Sequence, residues 1–436
     1  MGRMTFFFVF VFSLTAFGFK CDGQTSDSVR AKRFIAFNHA GKFTEARRMF
    51  APYLQSKLPD GLLKQVWEQQ LASQGKFRSV LETSVLKKDS LNIVGALCDF
   101  EHAQIMLSFA FNPGHQVVGY HIAGVRSKKD TIPSYGRIHE QDTTVQVKGG
   151  HISGTLRLPD KQGKAPVALI IAGSGPVDRD GNAGLSDQSN DYLLLADSLA
   201  AHGIASFRYD KRYVGKSTDF KKQVSEVRFD DYMNDATALV HFLERDKQFS
   251  NVILIGHSEG SLIGILVAEK TGVDALISLA GAGERIDKII QWQLAGQPGM
   301  DQRRIASMLD SLRHGHIVEN VPLSLRNLFN PAIQPFLLSW MKYDPAKEIG
   351  KLKIPVLIIN GTTDLQVTVA QAEMLHRGNP HGKLEVIPGM NHILKDAPPD
   401  RDKNFATYKD PALPLNAMLV KKISAFIKSI PSHNHS

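Results

Sequence analysis

A serine, an aspartate and a histidine, met in that order and each just after a short apolar run, are the residues of this sequence best suited to chemistry. The run Asn251-Val252-Ile253-Leu254-Ile255 leads into Gly256-His257-Ser258-Glu259-Gly260, and a helical stretch from Ser261 follows. A strand, then Gly-x-Ser-x-Gly, then a helix holds a serine hydroxyl strained and exposed on a sharp turn, where glycines leave room for neighbouring backbone. A hydroxyl is a weak nucleophile until a base takes its proton, and the base needs a carboxylate to fix its tautomer. Asp364, in Gly361-Thr362-Thr363-Asp364 after the apolar run 356–360, supplies the carboxylate. His392, in Pro388-Gly389-Met390-Asn391-His392 after the run 384–387, supplies the base. The oxyanion of acyl transfer needs two backbone N–H donors. Glu259, next to the nucleophile, offers one. Ser174, with Gly175 as the alternative, offers the other from the loop Ala172-Gly173-Ser174-Gly175-Pro176.

These loops need a rigid frame. Apolar runs at 167–172, 205–209, 252–255, 275–280, 356–360 and 384–387 alternate with helical stretches near 191–201, 229–243, 260–270, 369–376 and 415–427. The period is clearest at Phe229, Tyr232, Met233, Ala236, Leu239, Val240 and Leu243, which share one helix face. Alternation of buried strands with helices predicts an α/β architecture, a mostly parallel, doubly wound sheet with ligands at the carboxyl ends of its strands. Residues 143–147 and 152–158 read as a hairpin around Gly149-Gly150. The stretch between 280 and 356 is too long for one crossover and reads as a helical cap, about 283–345. Its Trp292, Phe329, Phe336 and Trp340 are candidates for a pocket wall or for plain core.

Ahead of this lies a different pattern. Phe34, Ile35, Phe43, Ala46, Met49, Phe50 and Leu54 recur at helical spacing, and Leu62, Leu63, Val66, Trp67 and Leu71 form a second helical stretch. Strand-like runs follow at 79–85, 91–99, 104–111 and 117–122, with Asn112-Pro113-Gly114 as a turn. Helices followed by consecutive strands predict a small α+β domain over 24–125, joined by a polar linker at 126–136 to a catalytic unit over 137–436.

The apolar run 4–19, flanked by Arg3 and Lys20, has the order of a secretory signal, with cleavage after Gly18 or after Gly23 and residues 1–23 taken as the leader. Export to the periplasm or medium is the expectation, with no integral membrane segment left after cleavage. Lipidation at Cys21 is disfavoured because Phe19-Lys20 lacks the small residues of a lipid-attachment site. Of the 2 cysteines only Cys98 remains after cleavage, so no internal disulfide can form. The 436 residues carry a net charge of +9, with basic residues spread out and not interleaved with aromatics. A solvated basic surface is expected, not nucleic-acid binding.

Several look-alikes are set aside. Gly215-Lys216-Ser217 has Asp210 where a phosphate-binding loop requires glycine. Gly173-Ser174-Gly175 lacks the third glycine of a dinucleotide fingerprint. Asp178-Arg179-Asp180-Gly181-Asn182 has Ala183 and Ser189 at positions a calcium loop reserves for glycine and glutamate. His433 and His435 lie in the tail, and no metal or cofactor is indicated.

With these motifs in place, the chain resembles the exported bacterial α/β-hydrolases of the esterase D-like group, which carry a small N-terminal domain of unknown function. The resemblance covers nearly the whole mature chain. It is carried by Gly173-Ser174-Gly175-Pro176-Val177-Asp178-Arg179-Asp180-Gly181, by the Ser258 elbow with its glutamate, by Gly361-Thr362-Thr363-Asp364-Leu365-Gln366-Val367, and by Asn391-His392. Trp67-Glu68-Gln69-Gln70 and Gly75-Lys76-Phe77 are similar to the N-terminal domain, which has a nuclear-transport-factor-two-like fold. The resemblance implies an α/β-hydrolase fold and a carboxylic-ester hydrolase acting on small-molecule esters of short acyl chains. Two positions depart from it: Ala172 stands where many relatives have histidine, and Tyr213 where glycine is usual after Arg212. A peptidase or amidase, a thioesterase and a non-catalytic binding or scaffold protein are the alternative readings, and the N-terminal domain is a candidate for homodimerisation.

Overall fold

The computed structural model describes residues 26–432, with the exception of 57, 59–60, 72–74, 89, 102, 128–138, 161–162, 184–186, 296–299 and 323–324. The leader, Cys21, most of the linker and the two tail histidines lie outside the described residues.

The N-terminal unit is a four-stranded antiparallel meander of β1 (Phe77–Lys88), β2 (Leu91–Phe100), β3 (Ala103–Phe111) and β4 (Val117–Ser127). Helix Ser26–His39 packs on it through Phe34, whose ring meets Phe50 at 5.6 Å and Phe109 at 5.3 Å. The helical spacing seen between Phe34 and Leu54 resolves into three short pieces: Gly41, at φ 71, turns the chain after the first, and Pro52 starts the third. The second stretch turns from α over Leu62–Gln65 to π over Val66–Leu71, a change that apolar spacing does not reveal. Cys98 is buried in this core, and burial pushes its thiol up to about 12, far from the reactive thiolate range. β4 runs to Ser127, two residues into the segment read as a linker.

The larger unit is an eight-stranded sheet. Its strands are β5 (His139–Val147), β6 (Gly150–Leu158), β7 (Ala165–Ile171), β8 (Ala205–Tyr209), β9 (Phe249–His257), β10 (Ala275–Leu279), β11 (Val356–Gly361) and β12 (Lys383–Ile387). The spatial order is β12-β11-β10-β9-β7-β8-β6-β5, parallel from β12 to β8 and antiparallel across β6 and β5. Central strands are buried on both faces, as their continuous apolar runs require. Val167, Leu169 and Ile171 face one core with helices Phe229–Glu244 and Glu259–Ala268. Ala168 and Ile170 face the other, with Asp191–Ala201 and Ala417–Lys428. The α/β-hydrolase architecture and the small α+β unit before it are thus as the sequence implies. Among the described residues no helix is long and apolar enough to cross a membrane.

Between β10 and β11 lies the helical insertion, with helices Ile286–Ala295, Gln302–Arg313, Arg326–Phe329 and Gln334–Trp340. It is fixed to the sheet layer through Phe229, whose ring stacks on Trp340 at 5.3 Å and 10° and whose N–H donates to Ser339 Oγ at 2.8 Å. Of the four cap aromatics, Phe329 and Trp340 are buried core, Trp292 is 49% exposed, and Phe336 alone borders the cleft described below. Because Phe229 is fully buried at the junction of cap and sheet, Phe229→Ala is expected to destabilise the protein by about 3 kcal/mol through the cavity it leaves. Urea unfolding, with the slope unchanged and the midpoint lowered, checks this.

Candidate active site

Ser258 sits at the tip of β9, near the middle of the sheet, with φ 54 and ψ −117. A non-glycine residue in such a region stores of order 1–3 kcal/mol, so packing must hold it there. Its N–H donates to Leu279 O of the neighbouring strand at 2.9 Å. Helix Glu259–Ala268 starts immediately afterwards and is buried along its length. Backbone crowding explains the flanking glycines: a Cβ on Gly256 would lie 2.2 Å from Gly260 O, and one on Gly260 would lie 2.2 Å from Ile171 O.

Asp364 and His392 arrive on the loops after β11 and β12. Asp364 Oδ2 lies 2.8 Å from His392 Nδ1, and both side chains are buried. The other oxygen, Oδ1, accepts from the N–H groups of Gln366 and Val367 at 2.8 and 2.9 Å. These donors hold the carboxylate in one orientation, which leaves Oδ2 for the imidazole. Gly361 lets the two loops meet, since a Cβ there would come within 1.9 Å of Met390 O. Asn391 anchors the base loop, donating to Thr407 Oγ1 at 2.9 Å and accepting from Lys395 N at 3.1 Å.

A second histidine, His257, ties these pieces together. Its Nε2 lies 2.8 Å from His392 O, and its ring centroid is 4.8 Å from that of His392. A carbonyl only accepts, so Nε2 carries the proton and Nδ1 is an acceptor. The Tyr192 hydroxyl, 2.7 Å from Nδ1, must therefore donate to it, and its oxygen accepts from Gly173 N at 2.9 Å. Every direction in this chain is fixed: Gly173 N–H to Tyr192, Tyr192 O–H to His257, His257 N–H to the backbone of His392. Burial, with His392 as a lesser cause, drives the His257 pKa down to about 3, so its ring stays neutral. Gly173 opens the loop after β7, and a Cβ built on it would lie 3.2 Å from Ser258 Cβ. Neither Ser174 nor Glu259 gives its N–H to an acceptor among the described residues.

Next to Glu259, the residue after Ser258, opens a cleft. Gly175, Pro176, Val214, Val227, Tyr232, Ile333 and Phe336 supply mainly apolar walls, and Lys211 and Glu259 lie at its edge. Lys211 Nζ donates to Glu259 Oε1 at 2.9 Å and to Gly173 O at 2.8 Å, and sits 4.4 Å from the Tyr232 ring centroid. Arg212, next along, is held by Asp235 at 2.9 Å. Tyr213, where glycine is usual, does take a left-handed φ of 65; its ring packs on Phe220 at 5.1 Å and its hydroxyl donates to Lys222 O. Ala172 is buried in the core on the far face from the cap.

The set-aside motifs have structural roles. Arg179 clamps Asp210 through Nη2 at 2.7 Å and Nε at 3.2 Å, joining the oxyanion-side loop to the turn after β8. Asp178 Oδ1 accepts from the N–H groups of Asp180 and Asn182, a self-capped turn. Ser217 Oγ accepts from Ser153 N at 2.8 Å. Sequence reasoning missed Tyr192, His257 and Lys211. His257 lay in view inside the elbow, but nothing local marked Tyr192, whose partner is 65 residues away.

A parallel sheet with a strained serine at its central strand tip, and a hydrogen-bonded aspartate–histidine pair on the next loops, defines an α/β-hydrolase. Residues 182–396 match the family model described as serine aminopeptidase, S33, and residues 31–120 match a family of unknown function, DUF3887. Esterase EstD of Thermotoga maritima is 23% identical over 377 residues, covering 83% of this chain and 86% of that protein. Among solved structures, Est1E from Butyrivibrio proteoclasticus is 16% identical with a TM-score of 0.42, covering 66% of this chain and 99% of its own. A Pyrococcus furiosus esterase, Pf2001, is 15% identical with a TM-score of 0.43, covering 67% and 91%. The chain thus carries an α/β-hydrolase unit behind a small N-terminal domain, and in sequence it is similar to an esterase.

Tyr192→Phe leaves the Gly173 N–H and His257 Nδ1 without their shared partner while conserving the ring. A fall in kcat of about tenfold is expected, together with a loss of about 1–3 kcal/mol of stability in urea unfolding from the two buried groups left unpaired. A histidine whose folded pKa lies below its unfolded value contributes stability above the unfolded pKa of 6.5 and loses it as pH falls toward about 3. The melting temperature of the wild type should therefore drop between pH 6.5 and 4, and that of His257→Gln should drop less steeply.

Proposed function

We propose that the protein hydrolyses carboxylic esters of short acyl chains through a Ser258–His392–Asp364 triad and an acyl-enzyme intermediate. The observation that carries the reading is the 2.8 Å Asp364–His392 pair, whose imidazole lies 4.8 Å from the ring of His257, the residue before the strained Ser258. In the first step Ser258 Oγ bonds to the ester carbonyl carbon while His392 Nε2 takes the hydroxyl proton. The N–H groups of Glu259 and Ser174 face the oxyanion. The carbon–oxygen bond to the alcohol then breaks, and His392 returns the proton to the leaving oxygen. Water, deprotonated by His392, attacks the acyl-serine, and the carboxylic acid departs. Asp364 holds the imidazole with Nδ1 protonated and stabilises the imidazolium formed in each half-reaction.

The name of the Thermotoga relative supports esters over other acyl compounds. Amide cleavage has one finding in its favour, the aminopeptidase name of the matched family. An aminopeptidase must bind a substrate ammonium, and the carboxylate among the residues that line this cleft, Glu259, is already engaged by Lys211. The apolar run 4–19 supports an exported, unlipidated protein with a mature N-terminus after residue 23. Mass measurement of the mature protein tests that part.

Hydrolysis of p-nitrophenyl esters from acetate to dodecanoate is expected to peak at two to four carbons. Ser258→Ala should lower kcat by at least about 10⁴-fold without shifting the unfolding transition, and Asp364→Asn by about 10³- to 10⁴-fold. Faster turnover of the matching anilides than of esters would overturn the ester reading.

A further inference from the structure

Lys211 is a buried lysine whose donors are all taken. Its side chain is 4% exposed, and Nζ donates to Gly173 O at 2.8 Å and to Glu259 Oε1 at 2.9 Å. The third direction faces the Tyr232 ring, 4.4 Å from its centroid. An ammonium has three donors and no acceptor, so none is left for a substrate. Its chain neighbours are fixed on both sides: Arg179 clamps Asp210 at 2.7 Å, and Asp235 holds Arg212 at 2.9 Å. Taking an ion pair out of water is costly, and an apolar side chain of that size would fill the space without the cost. The reason for the charge is to be sought in what it touches.

One contact is with a peptide bond beside the nucleophile. Gly173 O and Ser174 N–H belong to the same trans peptide unit, in which carbonyl and N–H point in opposite directions. With Lys211 on the oxygen, the Ser174 N–H is aimed away from it. Gly173 lies against Ser258, since a Cβ on it would stand 3.2 Å from Ser258 Cβ. The Gly173 N–H is spent on the Tyr192 hydroxyl at 2.9 Å, whereas the Ser174 N–H is unclaimed among the described residues. A cation on a carbonyl oxygen draws charge through the amide and strengthens the donor at its other end. The same ammonium grips the side chain of Glu259, whose backbone N–H is the second donor assigned above to the oxyanion.

Resting on the ester-hydrolysis reading above, we propose that Lys211 is a positioning residue for the oxyanion site. It orients and polarises the Gly173–Ser174 peptide so that the Ser174 N–H meets the developing charge, and it holds Glu259 in register with that donor. No covalent step passes through it. Its effect falls where charge builds on the carbonyl oxygen, in kcat more than in KM.

The test replaces Lys211 by methionine, which has a similar length without the charge, in the full-length mature protein. Two substrates of nearly one shape are compared, p-nitrophenyl acetate and its thiono counterpart, in which sulfur replaces the carbonyl oxygen. Sulfur is the weaker hydrogen-bond acceptor, so only the oxo ester draws full benefit from the two N–H donors. In Lys211→Met, kcat for the acetate is expected to fall at least about tenfold with KM within about threefold. The oxo-to-thiono ratio of kcat/KM is expected to fall at least about fivefold. A mere loss of packing would slow both esters alike and leave the ratio where it was. An unchanged ratio, or an unchanged kcat, therefore overturns the inference and leaves ester hydrolysis standing. If Lys211→Met does not fold, the same ratio is read in Lys211→Met/Glu259→Gln, where no carboxylate is left without its cation. Failure of the wild type to hydrolyse p-nitrophenyl acetate overturns the ester reading itself, and this inference with it.

Discussion

The site depends on a buried imidazole that stays neutral. His257 sits one residue before Ser258, and its two nitrogens reach in opposite directions, through Tyr192 to Gly173 and directly to the backbone of His392. One rigid ring thus sets the spacing between the loop after β7, Ser258 and His392. The arrangement works only while the ring is uncharged: a protonated Nδ1 would no longer accept from Tyr192, and the chain to Gly173 would break. Burial is the main source of that neutrality, with His392 a lesser one, at the tip of β9 where the ring is shut off from solvent.

Strain and charge around this chain are balanced locally. The left-handed Ser258 is held by a strand bond to Leu279 and by glycines that let backbone approach backbone. The ion pair of Lys211 with Glu259 lies in the interior and is sustained by further contacts, with Gly173 O and the Tyr232 ring on the lysine side. A buried pair with such added partners does more for position than for stability. Lys211 is therefore best understood as a strut between the turn after β8, the loop after β7 and Glu259.

The sequence was most legible where the signal is local. An apolar strand followed by a loop places Ser258, Asp364 and His392 without knowledge of tertiary structure, because strand tips of a parallel sheet share one edge. Helix Phe229–Glu244 was equally plain, and even its partial exception is physical: Tyr232 is the face residue that packs on the core and also borders the cleft. Roles set by contacts between distant segments were not legible. Tyr192 looks like one more helical aromatic, and Lys211 meets Glu259 across 48 residues. In the N-terminal unit, apolar spacing announced helices but not the turn at Gly41 or the π segment at Val66–Leu71, since both are backbone events that side-chain periodicity does not record.

The measurement that tests the central claim most directly is mass mapping of the adduct formed with a fluorophosphonate probe. Such a probe reacts only with a serine whose proton is taken by a neighbouring base. The account predicts one equivalent of label, on the peptide that contains Ser258, and a labelling rate lowered at least about 100-fold in His392→Ala with the fold retained. Label on another serine, or a rate indifferent to the loss of His392, would contradict it.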